Sequence, residues 1–115
     1  MALDYALEPE QEALVRTIRA FAQRELAPRS AQWDRDHVFP AEAWRQMGAL
    51  GLLGLRVPAA LGGQDADLVT VGLVMEEIAR GDFSCTYGIQ LSTLAGEIIA
   101  AVVDEAGAVL ARLSR

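Results

Sequence analysis

Lysine is missing from this sequence: all ten basic residues are arginine. Surface chemistry gives no reason to exclude lysine everywhere, so the bias points to a GC-rich genome. Basic residues are also outnumbered by 16 acidic ones, for a net charge of −6. A duplex or an anionic bilayer repels such a chain on average, which argues against nucleic-acid and membrane partners. Cysteine is scarce: Cys85 alone excludes an internal disulfide and fits a reducing compartment. Long apolar runs are lacking. The longest, Ile98 to Val103, has six residues, against the ~20 needed to span a bilayer. The opening Met1 to Pro9 is acidic and lacks the basic-then-apolar order of a signal peptide. A soluble, cytoplasmic protein is expected. Internal repeats, low-complexity tracts and the alternation of half-buried strands are absent as well.

What is present is helical. The 115 residues are 52% hydrophobic and 23% charged, a globular composition sufficient for one domain over 1–115 and one core. Leu14, Ile18, Phe21, Ala22 and Leu26 predict a first helix over Glu8 to Leu26. Pro9 suits its first turn and Pro28 is expected to stop it. Arg29 to Phe39 reads as a connector clamped by Trp33 and Phe39. A second helix follows Pro40 and runs to about Leu50, with Trp44, Met47 and Gly51 inward. The glycines at 62 and 63 suit a turn with positive φ. A third helix starts at Asp65 or Asp67, carries Leu68, Val71, Gly72, Met75, Ile78 and Ala79 on its inner face, and ends at Gly81. The fourth starts at Ser84 and runs to about Val103. Its stripe of Tyr87, Leu91, Leu94, Ile98 and Val102, with Ile89 and Ile99 on other faces, predicts burial in mid-bundle. Asp104 to Leu113 reads as a separate last helix with Val109, Leu110 and Leu113 inward. The fold class is therefore all-α, a bundle of four to five helices.

Few residues suggest chemistry. Glu76 and Glu77 diverge by about 100° on a helix, so they cannot converge on one substrate atom, and a structural role is expected. His37 has no second ligand in the pattern, so no catalytic or metal role is expected. Cys85 lies near a helix start, where a thiol pKa can fall, yet a lone small thiol usually serves as packing. Gly62-Gly63 lacks the strand and the Lys-Ser/Thr of a phosphate loop.

The order of motifs resembles a known family. Leu26-Ala27-Pro28, Phe39-Pro40 before Trp44, Gly51-Leu52-Leu53-Gly54, Val57-Pro58, Gly62-Gly63 and Met75-Glu76-Glu77-Ile78-Ala79-Arg80 resemble the N-terminal helical domain of the acyl-CoA dehydrogenases. The likeness covers nearly the whole chain and departs from the pattern at Val102 to Ala108, where the usual glycine-started turn is missing. The resemblance implies an FAD-dependent enzyme that desaturates an acyl thioester of CoA or acyl carrier protein at its α,β bond. It implies an electron-transfer flavoprotein as acceptor and a homo-oligomer, or a partner chain carrying the remaining domains. It also implies that the catalytic base and most of the FAD site lie in central β and C-terminal helical domains absent here, so this stretch alone is expected to be inactive. The share of this domain would be a wall of the acyl pocket: Thr86, Tyr87, Gln90 and Leu94, of which 86, 90 and 94 recur on one helical face. Tyr87 and Gln90 would shorten the cavity and favour short or branched acyl groups. Interior packing is the competing reading of those four residues. The competing functions are a related acyl-CoA oxidase or flavin monooxygenase domain, and a non-catalytic or split-enzyme interaction module. The inner face is expected to keep apolar area for the missing domains, so the isolated domain should self-associate or bind a hydrophobic probe.

Overall fold

The computed structural model describes residues 3–113, with side chains described through residue 102. Among the described residues there is no strand, and five α-helices form the bundle: α1 Pro9–Phe21, α2 Ala27–Asp36, α3 Ala41–Ala49, α4 Leu68–Gly81 and α5 Thr86–Leu113. The all-α class predicted by the periodicity is the class observed.

Glu8 starts α1. Its side chain serves the first turn while Gln11 Oε1 accepts from the Glu8 N–H at 3.0 Å, and Pro9 occupies the first turn. Pro28 does not stop the rod as expected. Ala22–Leu26 form a π-helical segment, and α2 continues directly from it with Pro28 in its first turn. A first-turn position requires no donated N–H, so the proline is accommodated where α2 restarts. The expected connector is accordingly helical to Asp36 and closes on His37 in the left-handed region at φ 53°. Trp33 packs against the core, whereas Phe39 is mostly exposed and leans on the Trp44 ring, centroids 5.0 Å apart.

The core gathers Ile18, Leu26, Met47, Leu52, Val74, Ile78, Cys85 and Ile89, each essentially inaccessible to water. Helix α4 lies close against the π segment. Its Gly81 leaves no room for a side chain, since a Cβ there would sit 2.8 Å from the Ala22 carbonyl. Asp67, not Asp65, caps α4, accepting from Thr70 N–H at 2.7 Å. The inner face of α4 is Val71, Val74, Glu77, Ile78 and Gly81, while Leu68, expected inside, is exposed. Across that interface Arg19 clamps the buried Glu77 with two bonds, Nη2 to Oε1 at 2.7 Å and Nε to Oε2 at 3.0 Å. Glu76 pairs instead with Arg80 on the surface, at 3.2 Å.

The stretch between α3 and α4 is irregular but tied down. Gly51 at φ 79° turns the chain into a 3₁₀ turn over Leu52–Gly54. Of the two later glycines only Gly62 takes positive φ, at 88°. Gly63 is needed for a different reason: a Cβ there would collide with the backbone and side chain of Val57. Gln64 N–H then donates to Gly54 O and Asp65 N–H to Val57 O, both at 3.0 Å.

Helix α5 departs most from expectation. Asp82, not Ser84, caps its entry, and its backbone runs unbroken to Leu113, without a separate last helix. Val109, Leu110 and Leu113 lie outside the residues with described side chains. At 28 residues it is roughly 42 Å long at the usual rise. The radius of gyration is 16.8 Å, against about 13 Å for a compact domain of this length. The helix is thus not wrapped by the bundle.

Candidate functional site: the open face of α5

The beginning of α5 is fixed by side chains. Asp82 Oδ2 accepts from Cys85 N–H at 2.9 Å, and Asp82 Oδ1 accepts from Ser30 Oγ at 2.6 Å, which ties the helix entry to α2. Cys85 is fully buried beneath this cap. Burial pushes its thiol pKa up to about 12, and the hydrogen bond and charge of Asp82 act in the same direction. A helix start lowers a thiol pKa only where the thiolate reaches the amide dipoles; here a carboxylate already occupies them. The packing reading of Cys85 therefore fits its surroundings.

From this anchor two faces diverge. Toward the core point Cys85, Gly88, Ile89 and Thr93. Away from it point Tyr87, Leu91, Leu94, Ile98 and Val102, all substantially exposed. The stripe expected in mid-bundle is therefore a bare apolar surface. Periodicity shows which residues share a face; it does not show whether anything covers that face. No charged side chain interrupts the stripe. Glu97 sits at its margin and is held by Arg56, with Nη2 to Oε1 at 2.7 Å.

The four proposed wall residues separate. Tyr87, 51% exposed, Gln90 and Leu94, 55% exposed, share the open face. Thr86 is only 6% exposed, and its hydroxyl donates to Phe83 O at 2.6 Å. The i, i+4, i+8 relation places 86 at the edge of an arc whose other members are wet. Phe83 stands edge-on to Tyr87 at 5.9 Å and adds an aromatic flank that spacing alone did not indicate.

By length and composition alone, Phe83–Val102 is long and apolar enough to cross a membrane. Its Asp82 cap, its Arg56–Glu97 pair and its packed inner face instead fit a helix docked on protein.

The clefts near the α5 entry, of about 170 and 400 Å³, both present the carboxylates of Asp34 and Asp82, which repel a diphosphate. Asp67 and Asp82 already cap the entries to α4 and α5, where a phosphate would otherwise bind. His37 ends α2 as an exposed left-handed residue, and among the described residues no three His, Cys, Asp or Glu side chains converge. Gly62-Gly63 closes a turn on its own backbone, Gly63 N–H donating to Pro58 O at 3.1 Å, with no phosphate cradle.

The described residues thus form an all-helical body with an uncharged apolar face on α5, entered through a capped Asp-Phe-Ser-Cys turn. The chain belongs to the acyl-CoA dehydrogenase family: the pattern of the family's N-terminal domain matches residues 8–107. It is 45% identical over 75 residues to the mitochondrial short-chain specific acyl-CoA dehydrogenase of Homo sapiens, covering 65% of this chain and 18% of that protein. It is 32% identical over 94 residues to benzylmalonyl-CoA dehydrogenase of Aromatoleum aromaticum, covering 82% and 25%. It is 36% identical over 78 residues to acryloyl-CoA reductase (NADH) of Anaerotignum propionicum, covering 68% and 20%. A chain in the solved structure of the electron transferring flavoprotein of Acidaminococcus fermentans superposes at TM-score 0.69 and 25% identity, over 76% of this chain and 23% of that one. The matched stretch is thus a quarter or less of each of these relatives.

Proposed function

We propose that residues 1–115 are the N-terminal helical domain of an FAD-dependent dehydrogenase that desaturates acyl thioesters of CoA or acyl carrier protein. The observation that carries this reading is the uncharged stripe Tyr87–Leu91–Leu94–Ile98 lying bare on α5, in a chain of this family. In this reading the upper part of the stripe walls the acyl cavity and the rest packs against the domains that complete the enzyme. Leu94 offers methylene contacts. The Tyr87 ring and the Gln90 amide occupy volume and shorten the cavity. Thr86 fixes the helix entry beneath them. Apolar walls with a few polar groups are the usual lining of a small-molecule pocket.

FAD supplies hydride acceptance when bound, and segments outside this chain hold most of it. The share of this chain is to position the acyl group and keep water away from it. The assembled enzyme passes its electrons to an electron-transfer flavoprotein and works as a homo-oligomer or with a partner chain. The test is a series of straight-chain acyl-CoA thioesters assayed with the full-length protein, wild type and Tyr87→Ala. Removing the ring should let longer acyl groups in and raise their kcat/KM by about tenfold or more. An unchanged chain-length profile refutes the wall.

A further inference from the structure

Helix α5 rests on the stretch from Trp44 to Val57 at three points. At Gly88 the Trp44 ring lies so close that a Cβ would sit 2.8 Å from Trp44 Cζ2, and at Gly96 a Cβ would sit 2.6 Å from Val57 Cγ2. Beside them Arg56 Nε donates to Glu97 Oε1 at 2.8 Å, while Arg56 Nη1 donates to Ala66 O at 3.1 Å. Trp44 is itself backed by Phe39, and Val57 is immobilised by the turn that closes on Gly63. Val57 is the firmer of the two supports, because the turn holds it from its far side, whereas Trp44 leans on the mostly exposed Phe39 ring.

We propose that Trp44 and Val57 are positioning residues that set the depth of the acyl cavity through Gly88 and Gly96; this rests on the pocket reading of α5. At 100° per residue Gly96 is diametrically opposite the middle of the open stripe, and Gly88 lies at the edge of the supported face. Bulk added at either glycine drives the helix outward, toward the space an acyl chain would fill. Bulk removed from Trp44 or Val57 lets it settle inward. A displacement of about one methylene is enough, since one methylene in a closed apolar pocket changes kcat/KM by roughly 10–200-fold.

The experiment uses the full-length protein and the same thioester series, with binding of non-reactive thioether analogues by calorimetry as a second readout. Gly96→Ala should cut kcat/KM, and weaken analogue binding, about tenfold at the long end of the accepted range, with far less effect at the short end. Gly96→Ala combined with Val57→Ala should restore the profile, because the new methyl takes the space Val57 Cγ2 vacates. Should Gly96→Ala fail to fold, Val57→Ala and Trp44→Phe alone test the opposite direction and should extend the accepted length. Uniform loss across the series, or no rescue in the double variant, overturns the inference. Tyr87→Ala separates the two levels. If it shifts the profile while the backing variants do not, only the positioning role fails. If it too leaves the profile unchanged, the pocket reading fails and takes this inference with it.

Discussion

Ile89 and Leu94 lie five residues apart on α5 and look alike in sequence, yet truncation should cost far more at one than at the other. Ile89 is 0% exposed, whereas Leu94 is 55% exposed. Ile89→Ala removes three buried carbon groups, about 2.4 kcal/mol at 0.8 kcal/mol each, and the cavity left behind raises this to roughly 3–4 kcal/mol. Leu94→Ala removes a side chain that recovers less than half its transfer free energy on folding and leaves no cavity, so it should cost about 1 kcal/mol or less. With a urea m-value near 2 kcal/mol/M, the midpoint of this chain should fall by ~1.5–2 M for Ile89→Ala and by ~0.5 M or less for Leu94→Ala. Unchanged m-values would show that both variants report stability alone. Replacing Leu91, Leu94 and Ile98 together by Gln should lower the midpoint by no more than ~1.5 M, the sum of three such partial burials, while abolishing hydrophobic-dye binding and self-association. Equal costs at 89 and 94, or dye binding that survives the triple replacement, would mean that the face is covered within this chain, contrary to the reasoning above.

Two further outcomes follow from the titrating groups. The Arg19 guanidinium, through its hydrogen bonds first and its charge second, holds the Glu77 carboxyl below the usual carboxylate range against the opposing effect of burial. A carboxyl depressed on folding adds stability that is complete above its unfolded pKa and is lost as pH falls through its folded pKa. Glu77→Gln should therefore lower stability at neutral pH and flatten the acid limb of a urea-midpoint profile; an acid limb parallel to wild type would refute the assignment. Cys85, with its thiol pushed up to about 12, should resist iodoacetamide at pH 8 in the native chain and react promptly once urea unfolds it. Native alkylation at the unfolded rate would contradict the burial.

The helices are legible because burial repeats every three to four residues, and the Asp67 cap carries recognisable chemistry. Pro28 misled because a proline ends a helix only if its missing N–H is needed, and the π segment before it removes that need. Ser84 is the wrong cap because Asp82 already holds the entry, accepting from Cys85 N–H and from Ser30, a partner 52 residues away in sequence. The Arg19–Glu77 and Arg56–Glu97 pairs were invisible, since nothing local couples residues 58 and 41 positions apart.

The family likeness, the all-α class and the grouping of Tyr87, Leu91, Leu94 and Ile98 on one face came from the order of residues alone. Whether that face is core or surface did not, because a period describes relative orientation within one helix and says nothing of its neighbours. Tertiary packing decided it. Gly88 and Gly96 press one side of α5 onto Trp44 and Val57, and the opposite side is left bare because one helix surface cannot rest on the same support as its back.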